Sequence, residues 1–116
     1  MIYQELFSDA ELEKIIEEGL VYMCACPAQV ADALRKIREL YRYQSSCLGN
    51  ASNNAQVHST IADAAIASHA HLQECLENIL KIENWDRQAM KMPEHLRERQ
   101  ARELTSDSRF LDLDGQ

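Results

Sequence analysis

Apolar positions recur every three or four residues along most of this 116-residue chain, the spacing of helices that each bury one face. The first series is Leu12, Ile15, Ile16, Leu20 and Met23, opposite Glu11, Glu13, Lys14, Glu17 and Glu18. Ser8 with Glu11 three residues on reads as a capping box, and Phe7 with Leu12 as a hydrophobic staple. Helix 1 is therefore expected from Ser8 to between Met23 and Ala25. Pro27 suits the first turn of helix 2, where a missing N–H costs nothing. Its expected buried stripe is Val30, Ala33, Leu34, Ile37, Leu40 and Tyr41, with Arg35, Lys36, Arg38 and Arg42 outside it, an Arg35–Glu39 pair at i,i+4, and Gly49 as the stop.

Asn53, with Gln56 three residues later, marks the next N-cap. Helix 3 then meets no breaker from about Asn54 to about Asn84, a length of ~45 Å. The seam expected for it is His58, Ile61, Ala65, Ser68, Leu72, Cys75, Ile79 and Ile82. Small residues (Ala64, Ala65, Ala67, Ser68) fill its first half, so a second helix can approach closely there. Trp85 to Met92 reads as a short, helix-compatible link closed by Pro93. A charged helix follows from Pro93 to about Leu104, resting on Leu96 and Leu104, and residues 105–116 form a tail carrying Phe110, Leu111 and Leu113. The expected fold is all-α: a three- to four-helix up-down bundle centred on a long antiparallel helix pair, with a peripheral C-terminal helix. One domain spans residues 1–104, followed by the tail.

Composition agrees with this pattern. Three glycines and two prolines and few β-branched residues favour few, long helices. The chain is long enough to bury a modest core without a disulfide or metal staple. A net charge of −7 argues against a nucleic-acid partner, which calls for a concentrated basic surface. The first residues carry no basic, then apolar, signal pattern. The longest apolar run, Gly19 to Ala28, is half of the ~20 residues a membrane span needs. The expectation is a cytoplasmic protein with no membrane contact and with cysteines in the thiol form or as ligands.

The cysteines carry the most specific chemistry. A short loop would set helices 2 and 3 antiparallel, bringing Cys24 and Cys26 towards the level of Cys75. His71 stands four residues before Cys75, on the same helical face. Cys24, Cys26, His71 and Cys75 thus make a candidate zinc set of three thiolates and one imidazole. Cys26, at the start of helix 2, is also placed for a lowered thiol pKa, and a partner thiol at Cys75 would suit a reversible disulfide. Against both stands ordinary packing, with cysteine as a small buried hydrophobe and no metal or other cofactor bound. The His71-x-x-x-Cys75 spacing is similar to that of the helical zinc-binding anti-sigma factors, whose motif continues with a cysteine three residues on. Asn78 stands at that position here, and the likeness spans a single helical turn, so none of that family's function carries over.

Among the remaining groups, His69 is expected to be exposed and solvated. His58 is expected to be a satisfied core or interface histidine. Arg35, Arg38 and Arg42, like Arg97, Arg99 and Arg102, form either a solvated basic face or a docking surface for acidic helix 1. The absence of a Glu-x-x-His motif excludes a carboxylate-bridged di-iron bundle, and no phosphate loop or nucleophile motif supports catalysis. The function expected is that of a non-catalytic interaction or regulatory protein. It would form a homodimer through helix 3, some ten residues longer than helix 2 and carrying the alanine seam, and bind another protein by helix-in-groove contact using apolar surface left over on helix 3 and the C-terminal segment. The metal- or redox-responsive reading is the alternative.

Overall fold

The computed structural model describes residues 2–20, 26–48 and 54–93. They form three helices: α1, Asp9–Leu20; α2, Cys26–Leu48; and α3, Ala55–Ile82. Helix α2 packs against both of the others. The expected end of helix 1, Gly49, Asn53, the C-terminal helix with its arginines and the tail lie outside the described residues.

Local chemistry sets the helix starts. The Ser8 N–H donates to Glu11 Oε1 at 2.9 Å, and the Glu11 N–H to Ser8 Oγ at 3.0 Å, closing the capping box. Phe7 and Leu12, the staple pair, are both fully buried. At α3 the cap is Asn54, whose side chain accepts from the Val57 N–H, one residue later than the sequence pattern suggested. The helix lengths also differ from expectation. Helix α3 has 28 residues and α2 has 23, so the excess is five, not ten.

The core gathers Phe7, Leu12, Ile15, Ala31, Leu34, Leu76 and Leu80 with Trp85, Met90 and Met92. Helix α1 passes close to α2 at Gly19, where an added Cβ would lie 2.5 Å from the Ala28 Cβ. The last three core residues come from a segment that is not helical. Asp86 accepts from the Gln88 and Ala89 N–H groups through its side chain. It also pairs with Lys91 in an isolated β-bridge. A side chain that captures nearby amides competes with helix formation, and that is why the link is a turn. Asn84 and Met90 take left-handed φ values of 59° and 53°, which steer Trp85 and the methionines back onto the helices. Arg87 fastens the turn: it pairs with Glu11 at 3.0 Å and Glu77 at 3.1 Å, and lies 4.2 Å over the Phe7 ring.

The buried faces of α2 and α3 are rotated from those expected. On α3 the buried residues are Ala62, Ala65, His69, Gln73, Leu76 and Leu80. Cys75 is exposed and Ile82 is 78% exposed. On α2 the buried set is Pro27, Ala28, Ala31, Leu34, Arg38 and Gln44, while Leu40 is 44% exposed. The cause is polar. A network around Arg38 and His69 takes positions that a purely hydrophobic reading gives to aliphatic residues.

Candidate functional site

The α2–α3 pair has two differently built sides. One is closed by residues 2–8, an N-terminal arm that runs into α1. Arg38 is fully buried there and His69 is 1% exposed. Arg38 Nε donates to His69 Nε2 at 2.9 Å, Nη1 to Asp9 at 2.8 Å, and Nη2 to the Phe7 carbonyl at 2.7 Å and to Gln73 Oε1 at 3.2 Å. Gln73 grips the arm's main chain at two points. Its Oε1 accepts from the Leu6 N–H at 2.7 Å, and its Nε2 donates to the Gln4 carbonyl at 2.9 Å. Tyr3 stacks on Tyr41 with ring centroids 3.8 Å apart and tilts against His69 at 4.8 Å. The Tyr3 hydroxyl donates to Glu5, which Arg42 meets at 2.8 Å.

These contacts set the charge states. Burial, reinforced by the Arg38 charge, holds the His69 imidazole below its ordinary pKa, against the opposing pull of Glu5. Arg38 Nε is a donor, so His69 Nε2 must be the bare nitrogen of a neutral ring. The hydrogen bond from Arg38 holds the Asp9 carboxyl below the usual range, with Arg42 adding to it against burial. Burial pushes Glu5 upward, but Tyr3, Arg38 and Arg42 together outweigh it and its pKa falls. The Tyr3 hydroxyl is raised by burial and by Glu5. This closed side corrects two expectations: His69 is buried, and Arg38 lies within the buried face of α2, not outside it. Of the two readings of the arginines, the docking surface for acidic helix 1 holds, with Arg35 on Glu13, Arg38 on Asp9, and Arg42 on Asp9 and on Glu5 of the arm. Arg35 bonds Asp32 rather than Glu39 on its own helix.

The other side is open. Ile37 and Leu40 lie about 100–160° around α2 from Arg38, and Ala64 and Ser68 about 100–140° around α3 from His69. With Thr60, Ile61 and Ala65 they line a groove of about 280 Å³. None of its lining residues is charged. The small residues expected to admit a second helix, Ala64, Ala65 and Ser68, line part of it, and exposed Leu40, Tyr43 and Val57 stand on the same stretch of the helix pair. Near its end, His58 Nδ1 meets Gln44 Oε1 at 2.7 Å, so this histidine is satisfied by α2.

No protein-family model, curated protein or solved structure matches the chain.

Of the candidate zinc set, Cys26, His71 and Cys75 are all exposed, and Cys24 lies outside the described residues. Among the described residues, no three His, Cys, Asp or Glu side chains group as a metal site. A second hollow of about 310 Å³ lies beside Leu80, Lys81 and Trp85. Its Arg87 is already matched by Glu11 and Glu77, and its Lys81 is exposed to solvent. No helix among the described residues is long and apolar enough to cross a membrane.

Proposed function

We propose that this protein is a non-catalytic helical interaction module, an up-down bundle built on an antiparallel α2–α3 pair, that homodimerises through the open groove and in that form engages a further protein. Two sets of contacts support the antiparallel pairing. Gln44 meets His58 early in α3, whereas Arg38, earlier in α2, meets His69 and Gln73 later in α3. The observation that carries the functional reading is the uncharged groove lined by Ile37, Leu40, Ile61, Ala64 and Ser68.

Ridge and hollow occur on one face. Leu40 projects, while Ala64 and Ser68 leave room for an approaching backbone, so a copy related by a two-fold axis can set its ridge in the other's hollow. A charged partner would find no counter-charge on these walls. The groove thereby takes over the role that the sequence pattern assigned to the excess length of α3.

Light scattering of the full chain over a micromolar concentration series tests the reading. A dimer mass is expected, falling to the monomer mass in Ala64→Glu with helical circular dichroism unchanged. A wild-type monomer throughout the series overturns it.

A further inference from the structure

We propose that the N-terminal arm is a pH-released strap, held shut at neutral pH by the Arg38–His69 hydrogen bond and opened when His69 takes up a proton. The geometry admits one charge state. Arg38 Nε and His69 Nε2 are 2.9 Å apart and both side chains are buried. A proton on Nε2 would place two donors, both cationic, against each other with little water to screen them.

The groups facing the imidazole do not absorb that charge freely. Tyr3 of the arm and Arg38 of α2 touch it, and the charges of Glu5 and Arg42 act on it; Asp9 of α1 and Tyr41 of α2 stand one contact further, on Arg38 and Tyr3. Glu5 is already engaged by the Tyr3 hydroxyl and Arg42, and Asp9 by Arg38 and Arg42. Burial and the Arg38 charge both lower the His69 pKa, so the neutral ring is the resting form at pH 7.

The same guanidinium that His69 accepts from also binds the Phe7 carbonyl and Gln73, and Gln73 clamps Gln4 and Leu6. Repelling Arg38 therefore disturbs the Phe7 carbonyl bond directly and the Gln4 and Leu6 bonds through Gln73. Ile2, Gln4 and Leu6 are already exposed, so the arm has few apolar contacts to keep it seated before Phe7.

Amide exchange of the full chain, expressed as protection factors, tests this between pH 7.5 and 4.5. The Leu6 amide should lose about tenfold protection or more on acidification, the yield of one linked proton per pH unit, and should stay well below the Leu76 amide in protection at every pH, because the arm opens without the helices unfolding. His69→Gln places a non-titrating acceptor before Arg38 and should abolish the loss. A nuclear magnetic resonance titration of the wild-type His69 ring should share its midpoint with the Leu6 transition, and this needs no variant. Different midpoints, an unchanged Leu6 amide, or a Leu6 amide as strongly protected as that of Leu76 each overturn the proposal.

Discussion

The two sides of the α2–α3 pair bury their surface by opposite means. The closed side is covered by the chain itself, and its centre is a charge: Arg38, with its guanidinium bonded to a ring nitrogen, a carboxylate, a carbonyl and an amide. The open side is apolar and small, with Leu40 44% exposed. The difference teaches where geometry is dictated and where it is left to a partner. Hydrogen bonds are directional, so the polar side admits one arrangement of the arm. An apolar groove fixes shape but not orientation.

Breaking the closed side at its centre should have the largest effect. Arg38→Met leaves His69 and the Phe7 carbonyl without their donor and strips Gln73 of one of two, and is expected to destabilise the fold by about 3 kcal/mol or more. Denaturant unfolding measures it, and a loss below about 1 kcal/mol would show that the remaining contacts hold the arm without Arg38. Gln73→Leu removes its own two bonds to the arm's main chain and should cost ~1–3 kcal/mol. Its loss of protection should be confined to the arm amides in hydrogen exchange.

Acid sharpens the same contrast. His69 is lowered in the folded state, so the unfolded chain binds its proton first and stability falls as pH drops below the ordinary histidine value. The slope from this group does not exceed ~1.4 kcal/mol per pH unit, the limit for one proton. A second decline follows at lower pH, where Glu5 and Asp9, both lowered, become protonated. Thermal unfolding of wild type and His69→Gln from about pH 7.5 down to about pH 2.5 separates the two phases. The smallest change in monomer stability belongs to the open side. Leu40→Ser should shift it by about 0.5 kcal/mol or less, yet convert the dimer to monomer in light scattering.

Local signals made the helices legible in the sequence, but not the faces they bury. Ser8, Glu11, Phe7 and Leu12 act within a single turn, and their pattern carries straight into hydrogen bonds and burial. The seam of α3 was misread because His69 and Gln73 interrupt it with polar side chains. Read without regard to polarity, Ala62, Ala65, His69, Gln73, Leu76 and Leu80 keep steps of three and four throughout. Arg38 likewise continues the Ala31–Leu34 stripe. The missing signal was the match between a basic residue on one such stripe and Glu5 and Asp9 far away in the sequence. Periodicity is local, and partners 29 to 35 residues apart leave no trace in it. The apolar groove was half legible: Ala64, Ala65 and Ser68 declared room for a neighbour, whereas the exposure of Leu40 followed only once Arg38 had turned α2.

The arm's bonds have a consequence for the order in which the molecule is made. Leu6 reaches Gln73 across 67 positions of sequence, Gln4 reaches it across 69, and Arg87 reaches the Leu6 carbonyl across 81. On a ribosome the arm emerges before Gln73 and Arg87 and must therefore wait, with Phe7 uncovered, until those later residues have been synthesised. Helix α1 can cap itself as it appears; the arm just before its cap is made ahead of its partners and settles after them.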